Sequence, residues 1–222
     1  MTSADRPLRA DAARNRASLL AAAEAEFAER GLTASVADIA RRAGIGKGTV
    51  FRHFPSKEDL LAAVVLDRVD GLAALARRLA TVPDAGAALL EFLDAAASRQ
   101  QQLDLSFLRE AGDLNDRLSE SRGRLFQEIA VLVERAQAAG AIRADIAPVD
   151  VILLMCAPTH VVSFVPDAPP DLWRRYLGII FDGLRPDGAG PLPHPLPEAV
   201  SDRPVRPAGT LSRGPQPATP QP

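Results

Sequence analysis

The chain has 222 residues, of which 47% are apolar and 24% charged, and a formal net charge of −2 at pH 7. This composition is typical of a globular protein with one large domain or two small ones. It disfavours a membrane protein and a general polyanion binder, because no apolar run reaches the roughly 18 residues of a membrane-spanning helix and the two signs of charge nearly balance.

Helical periodicity runs along nearly the whole sequence, and no convincing alternation of apolar and polar residues indicates a strand. We therefore expect an all-α protein of about nine helices. The first helix is predicted over residues 11–30 and ends at Gly31. Its apolar face consists of Leu19, Leu20, Ala23 and Phe27.

Two short helices come next. Ser35 and Asp38 form a capping-box pattern, which opens a helix that ends near Ala43. The sequence Gly44-Ile45-Gly46 breaks this helix. The following helix, predicted over residues 47–53, is short, basic and amphipathic.

A long helix follows the two short ones. Ser56 and Asp59 form a second capping-box pattern, which opens this helix, and the helix runs to about Ala80. The apolar residues of the two short helices recur at helical spacing and predict a small shared core. They are Val36, Ile39, Ala40, Ala43, Ile45, Val50 and Phe54.

Basic residues concentrate around the two short helices. Residues 41–57 carry five basic side chains and no acidic one, and both lysines of the protein, Lys47 and Lys57, are among them. Two short helices joined by a three-residue turn with glycine are typical of a helix-turn-helix unit that binds double-stranded DNA. A basic patch on a weakly acidic body indicates a focused contact with DNA.

Each residue type in this unit suits a different contact with DNA. Gly44 permits the left-handed backbone of the turn, and Gly48 lets a helix backbone come close to a phosphate. We expect Thr49, Arg52 and His53 to face the major groove, where side chains read base edges. Basic side chains that neutralise phosphates add affinity without sequence information. The predicted phosphate contacts are Arg41, Arg42, Lys47 and Lys57.

Four segments resemble the N-terminal headpiece of the TetR family of transcriptional repressors. Three are short: Gly31-Leu32-Thr33, Ser35-Val36-x-Asp38-Ile39-Ala40 and Ala43-Gly44-Ile45. The fourth runs Lys47-Gly48-Thr49-Val50-Phe51-x-His53-Phe54-x-Ser56-Lys57-Glu58-x-Leu60-Leu61. The resemblance covers residues 11–60 closely and the chain to about residue 184 loosely.

The resemblance implies an all-helical homodimer that binds an inverted-repeat DNA operator and senses an unknown small molecule with its C-terminal domain. It places DNA contacts at Lys47, Gly48, Thr49, Phe51, His53 and Lys57, and we add Ser35 to these candidates. Two positions depart from the family. Phe51 stands where tyrosine is most frequent, so a phosphate hydrogen bond from a ring hydroxyl is lost. Gly46 stands where a serine or threonine cap is usual, which costs the helix roughly a few tenths of a kcal/mol.

Five further helices are predicted in the second half of the chain, over residues 84–101, 103–111, 117–139, 148–164 and 171–184. The last two carry apolar residues on nearly every side. One face of each is therefore expected to pack within the subunit and another against a second subunit. The alternative is that both are ordinary core helices.

A ligand pocket is expected among the helices of residues 84–139 and 148–164. The candidate lining residues are Phe92, Phe107, Leu108, Phe126 and Met155. Residues of these types more often belong to an ordinary apolar core than to a pocket wall. Cys156 and His160 lie four residues apart, but two ligands are too few for a metal site, so no metal and no cofactor are expected.

Three parts are predicted: a helix-turn-helix DNA-binding domain over residues 11–70, a ligand-sensing and dimerisation domain over 71–184, and a disordered tail over 185–222. The tail prediction rests on its composition, because 11 of the 19 prolines fall there. The start of the chain lacks the apolar stretch of a secretory signal, and Cys156 is the only cysteine. We therefore expect a cytoplasmic protein.

Other functions remain to be weighed against a ligand-responsive repressor. No phosphate-binding glycine loop after a strand, no HExxH and no GxSxG motif supports an enzyme. A DNA-binding factor without a ligand has little use for a body twice the size of its headpiece. A transcriptional activator stays open from the sequence.

Overall fold

The computed structural model of the protein describes residues 5–100, 115–162, 164–187 and 190–194. Within these ranges it contains eight α-helices and no strand, which confirms the predicted all-α class. A single 3-10 turn, Gly31–Thr33, follows the first helix. The helices are α1 (Asp5–Arg30), α2 (Val36–Arg42), α3 (Lys47–His53), α4 (Lys57–Leu79), α5 (Ala85–Gln100), α6 (Asn115–Ala138), α7 (Pro148–Val162) and α8 (Leu172–Gly183).

The ends of these helices lie within about two residues of the predicted ones, with one exception. The α1 helix begins at Asp5 rather than at residue 11. Backbone hydrogen bonds and residues with high helix propensity can extend a helix beyond the part that has an apolar face, and the sequence pattern does not reveal this extension. The short helix predicted over residues 103–111 lies outside the described residues and stays a prediction.

Serine caps set where α2 and α4 begin. The backbone N–H of Asp38 donates to Ser35 Oγ at 3.2 Å. At α4 the reciprocal capping box is complete, because the N–H of Asp59 donates to Ser56 Oγ and the N–H of Ser56 donates to the Asp59 carboxylate, both at 3.0 Å. These bonds satisfy N–H groups that the first helical turn leaves without partners. Both caps were predicted from the sequence, and their serines are confirmed.

The first three helices and the start of α4 enclose one apolar cluster, which we call the headpiece core. It consists of Leu19, Leu20, Ala23, Phe27, Ala34, Ile39, Ala40, Val50, Phe54, Leu60, Leu61, Ala63 and Val64. Val36, Ala43 and Ile45 pack against it half-buried. The core predicted for the two short helices is thereby confirmed.

A second and larger cluster, the body core, is enclosed by the end of α4 and by α5 to α8. Its fully buried side chains include Leu79, Leu89, Phe92, Leu93, Ile129, Leu132 and Trp173. The α4 helix belongs to both clusters, since its residues up to Val64 lie in the headpiece core and those from Ala73 lie in the body core. A displacement of α4 in one core would therefore also move α4 residues in the other core.

The α6 helix runs beside α4 in the same direction. Arg124 Nη2 lies 2.9 Å from Asp70 Oδ1, and further along Arg77 Nη2 lies 2.7 Å from Glu128 Oε1. Residue numbers thus rise together along both helices, so the two helices are parallel. The first turns of α6 lie nearest the headpiece, and its last turns lie at the distal end of the body.

Two side chains of α6 close this distal end. Arg135 Nη2 donates to the carbonyl of Val82, just after α4, at 2.7 Å. The Gln137 amide donates to the carbonyl of Ile146 at 2.8 Å, in the turn before α7. Both bonds satisfy carbonyl groups that the ends of helices and loops leave without partners.

The chain after α8 is held against the body by a set of contacts that we call the tail clasp. The Arg143 backbone N–H donates to the carbonyl of Leu184 at 2.8 Å, and Arg143 Nη2 donates to the carbonyl of Gly190 at 2.5 Å. The Arg143 side chain also donates to the Asp145 carboxylate at 2.7 Å. This hydrogen bond, together with one from the N–H of Leu192, holds the pKa of the Asp145 carboxyl below its ordinary value.

The tail clasp includes residues of the predicted tail. A disordered tail was expected from residue 185 onward. Of that range the structure describes residues 185–187 and 190–194, and among them the Gly190 carbonyl accepts a hydrogen bond from Arg143. Residues 195–222 lie outside the described part of the chain. The disordered tail stays a prediction.

Candidate nucleic-acid interface

The turn between α2 and α3 satisfies its own backbone groups. Gly44 has φ +68°, in the left-handed region that favours glycine, as predicted. Its N–H donates to the carbonyl of Arg41 at 3.1 Å, and the N–H of Ile45 donates to the carbonyl of Ala40 at 3.0 Å. These two bonds form a Schellman motif. Because Ile45 also packs on the headpiece core, the turn fixes how α3 is presented.

The α3 helix buries one side and exposes the rest. Val50 is almost fully buried in the headpiece core, and Phe54, just after the helix, is buried with it. The outward-facing residues form what we call the recognition surface. They are Lys47, Gly48, Thr49, Phe51, Arg52 and His53. The structure thus brings six of the ten predicted DNA-contacting residues together on one helix.

Two contacts order side chains within the recognition surface. Arg52 Nη2 donates to Thr49 Oγ1 at 3.1 Å. Lys47 Nζ lies 5.7 Å from the centre of the Phe51 ring, within the range of a cation–π contact. The Thr49 hydroxyl keeps its own proton for another acceptor, and Arg52 keeps further N–H donors. Both residues are therefore able to bind a base edge while they hold each other in place.

The glycines at the start of α3 have no internal packing to explain them. A Cβ atom built at Gly48 meets nothing within 4 Å, and the residue is exposed. Gly46 is the N-cap of α3 and provides no side-chain hydrogen bond, as its departure from the family implied. The start of α3 thus presents uncovered backbone to whatever approaches from outside.

Arg41 and Arg42 are neighbours with different surroundings. Arg42 Nη1 donates to Glu26 Oε1 at 3.0 Å and Nη2 donates to Glu29 Oε1 at 2.5 Å, and these two carboxylates raise the pKa of the guanidinium, the Glu29 bond most. Arg42 thereby fastens α2 to α1. The Arg41 side chain is 73% exposed, against 36% for Arg42, and pairs only with the nearby Asp38 among the described residues.

Ser35 and Lys57 also have partners inside the headpiece. The Ser35 hydroxyl caps α2 and donates to Asp38 Oδ2 at 2.6 Å. Lys57 Nζ donates to the carbonyl of Leu32 and lies 6.0 Å from the centre of the Phe27 ring. Ser35, Lys57 and Arg42 thus already hold the headpiece together, and their contacts with DNA stay predictions.

Two buried charges escaped the sequence analysis. The Glu26 side chain is buried between Arg42 and Arg30, and the buried Arg68 of α4 lies 3.4 Å from Glu24 Oε1 of α1. The burial of Glu26 could have been predicted from the sequence, because Glu26 lies seven residues after Leu19 and so shares its apolar face. A charged residue in an apolar register marks a place where helices are joined by ion pairs.

The residues predicted to line a ligand pocket are found in different settings. Phe92 is fully buried in the body core, and Met155 is buried there as well. Phe126 of α6 is half-buried. Phe107 and Leu108 lie outside the described residues. Phe92, Met155 and Phe126 all belong to the body, and their role as pocket walls stays a prediction.

A surface groove of about 450 Å³ lies elsewhere, at the distal end of the body. It runs between the start of α5, the turn after α6 and the end of α8. Its walls are Asp84, Gly86, Ala87, Leu90, Gly140, Ala141, Phe181, Arg185, Pro186 and Asp187. None of these is a predicted pocket residue.

Metal-ligating side chains do not gather in the described part of the chain: no three His, Cys, Asp or Glu residues come together there. The His160 ring instead meets the Phe164 ring edge-on at 5.3 Å. Among the same residues, no helix has both the length and the apolar character needed to cross a membrane.

Comparison with known proteins matches both halves of the chain. The family described as "Bacterial regulatory proteins, tetR family" matches residues 19–64, and "Transcriptional regulator SbtR-like, C-terminal domain" matches residues 84–186. A solved TetR transcription regulatory protein from Mycobacterium vanbaalenii is 36% identical, with 81% of this chain and 99% of that chain covered and a TM-score of 0.63. A TetR transcriptional regulator from Streptomyces coelicolor is 30% identical, with coverage of 78% and 99% and a TM-score of 0.64.

Proposed function

This chain belongs to the TetR family of DNA-binding transcriptional regulators, and we propose that it is a repressor that binds an inverted-repeat operator as a homodimer and leaves it when a small molecule binds. In this proposal residues 11–70 bind DNA, and residues 71–184 sense the ligand and form the dimer. The protein would act in the cytoplasm, where its operator lies.

The recognition surface is the observation that carries the proposal. A helix held by a Schellman turn, with one buried residue and six outward ones, has the form of a helix that lies in a major groove. Thr49, Arg52 and His53 provide base-reading groups, whereas Lys47 and Arg41 provide charge for phosphates.

Exposed apolar side chains on α7 and α8 support the homodimer. Leu153 is 50% exposed and Ile179 is 57% exposed, and Val161, Phe164 and Val165 are exposed with them. The opposite side of α8 buries Trp173, Leu177 and Phe181 in the body core. These exposed apolar side chains support an interface with a second copy along α7 and α8.

The shared helix α4 supports ligand control. A ligand held among Phe92, Phe126 and Met155 would touch the body core, in which the second half of α4 lies. Because the first half of α4 lies in the headpiece core, a shift there would change the spacing of the two recognition helices of a dimer. Release then needs the ligand to favour the non-binding spacing, typically by about 1–3 kcal/mol.

The direct test is selection of binding sites from random duplex DNA by the full chain. We expect an inverted repeat with half-sites about one helical turn, or roughly 10 base pairs, apart. Thr49→Ala should then change the base preferred at one symmetric pair of positions. The exposed Thr81, just after the distal end of α4, allows the same substitution far from the recognition surface, and Thr81→Ala should leave the motif unchanged.

Two results would oppose the proposal. Equal affinity for random duplex and for every selected site would show a non-specific binder. An expression reporter that falls when the gene is deleted, rather than rises, would make the protein an activator.

A further inference from the structure

An arginine interrupts the apolar side of α6. The buried residues of this helix recur at helical spacing, and they include Leu118, Leu125, Ile129, Leu132 and Ala136. Arg122 comes four residues after Leu118 and three before Leu125, so its side chain leaves the helix on the same side. It is half-buried there.

Arg122 differs from the other arginines of its helix. Arg124 is paired with Asp70 at 2.9 Å, Arg135 donates to backbone carbonyls, and Arg117 is exposed to water. Arg122 has no hydrogen bond or ion pair with any residue of the described ranges, and burial lowers the pKa of its guanidinium. Its charge persists in spite of this shift. A half-buried cation that meets no counter-charge among the described residues gains from an anion that arrives later.

Three residues one turn away from Arg122 on its own helix, Leu118, Leu125 and Phe126, are apolar. Phe126 lies one turn further along α6, on the same side and half-buried. Leu125 and Ile129 of α6 belong to the body core together with Met155 of α7. A ligand whose anionic group pairs with Arg122 would therefore have apolar side chains beside the rest of its body. An amphipathic anion requires this combination.

The position along α6 connects this place to the headpiece. Since Arg124 pairs with Asp70 and the two helices are parallel, Arg122 lies level with the stretch of α4 just before Asp70. That stretch separates the residues of α4 in the headpiece core, which end at Val64, from those in the body core, which begin at Ala73. An occupant at this level would touch the part of α4 that joins the two cores.

We infer that Arg122 binds the anionic end of the effector, and that the effector is a monoanionic amphipathic molecule, a carboxylate on an apolar body that packs beside Phe126. The inference rests on the proposed function, since it names the class of molecule that the regulator senses. A guanidinium forms two parallel hydrogen bonds with one carboxylate. A single guanidinium balances one negative charge, which favours a carboxylate over a phosphate dianion.

The experiment uses the full-length dimer and two fluorescent probes of the same shape. One is 1-anilinonaphthalene-8-sulfonate, a monoanion, and the other is N-phenyl-1-naphthylamine, the same aromatic body without the sulfonate. We expect the wild type to bind the anionic probe at least about tenfold more tightly than the neutral one, which corresponds to about 1.4 kcal/mol. Decanoate should displace the anionic probe, and decanol should not, which tests the carboxylate itself.

Substitutions assign the preference to Arg122. Arg122→Gln should weaken the anionic probe about tenfold and leave the neutral probe unchanged. Arg122→Lys keeps the charge and should retain part of the preference, which excludes a general loss of fold. Arg117→Gln removes the same charge from an exposed position of the same helix and should change neither affinity.

Several outcomes would overturn the inference. The first is that the wild type shows no saturable binding of the anionic probe. The second is that Arg122→Gln and the wild type bind this probe equally. If Arg122→Gln also has a lower melting temperature with unchanged probe binding, the arginine is purely structural. Operator binding without probe is measured in parallel. If the wild type binds its operator but shows no anion preference, only the inference about Arg122 fails, whereas a wild type that binds no operator overturns the regulator proposal.

Discussion

Neighbouring arginines show how differently the same side chain is used. Arg42 is held by two carboxylates of α1, one of them buried, so its charge is already committed within the protein. Arg41 is 73% exposed and is paired with the surface residue Asp38. An exposed ion pair contributes little and is screened by salt, so exchanging Asp38 for a phosphate would cost Arg41 little.

Substitution of each arginine is expected to change a different measurement. Arg41→Ala should reduce the slope of log affinity against log salt by about one unit per lost phosphate contact in each subunit, with little change in melting temperature. Arg42→Ala should lower the melting temperature more, because it leaves the buried Glu26 carboxylate with a weaker partner.

Salt titrations of operator binding and thermal melts of both variants check this prediction. Arg78→Ala, an exposed arginine at the distal end of α4, is the control for loss of one charge. An unchanged salt slope in Arg41→Ala would remove this residue from the DNA contacts.

Phe51 offers a second test at the scale of one residue. Its ring is 41% exposed on the recognition surface, with Lys47 Nζ 5.7 Å from its centre. If the family's tyrosine hydroxyl binds a phosphate here, Phe51→Tyr should strengthen operator binding by about 0.5–1.5 kcal/mol per subunit. Phe51→Leu removes the ring and the cation–π contact and should weaken binding. Equal affinity of the tyrosine variant and the wild type, measured on one operator, would mean that the ring only packs.

At the scale of an element, the start of α3 contrasts two glycines. Gly44 needs its positive φ to close the Schellman turn, whereas Gly48 has ordinary helical backbone and open space around it. The first glycine serves the fold. A Cβ at the second would meet nothing within 4 Å, and we predict that this glycine allows a close approach of the DNA backbone.

Alanine at each position should separate these roles. Gly44→Ala forces a side chain into the left-handed region and should lower the free energy of unfolding by about 1–2 kcal/mol. Gly48→Ala should raise it by about 0.5 kcal/mol, because alanine favours helix, and yet weaken operator binding. Urea denaturation at fixed protein concentration and a binding titration check both. A Gly48→Ala variant with full operator affinity would contradict the proposed backbone approach.

Much of this element could be predicted from the sequence, because its signals are local. The caps at Ser35 and Ser56, the turn at Gly44 and the buried Val50 each follow from residues within one or two turns of each other. The ion pairs of Arg42 could not be predicted in this way. Its partners lie 13 and 16 residues earlier, on another helix, and only the packed structure brings them together.

At the scale of the whole molecule, we predict that the apolar side of α7 and α8 forms the subunit interface. Ile179→Glu places a charge at a side chain that is 57% exposed in the single subunit, so the fold should tolerate it. In a dimer the same charge would be buried without a partner. We therefore expect a folded monomer that loses tight binding to a two-half-site operator.

Light scattering after size exclusion and operator titration check this prediction. Val131→Glu is the matched control, because Val131 is also an exposed apolar residue but lies on another helix, α6. A dimeric Ile179→Glu variant with normal affinity would place the subunit interface elsewhere.

The groove at the distal end of the body could not be predicted from the sequence. Its walls come from residues 84–90, 140–141 and 181–187, which are far apart in the chain and carry no shared motif. The predicted pocket was drawn from aromatic residues alone, and aromatic residues fill cores as readily as they line cavities. Phe92, fully buried in the body core, illustrates how the same side chain suits both.

The tail clasp determines how this protein is best attached to a surface or a label. Arg143 holds Leu184 and Gly190 at the end of the body where α4 and α6 finish. The 23-residue α4, roughly 34 Å long, runs from the headpiece core to this end. A fluorophore, an affinity handle or a sensor chip coupled within residues 190–194 would therefore be anchored at the end of the subunit that is distal to the recognition helix. Such a device would leave the DNA-reading side open to solution.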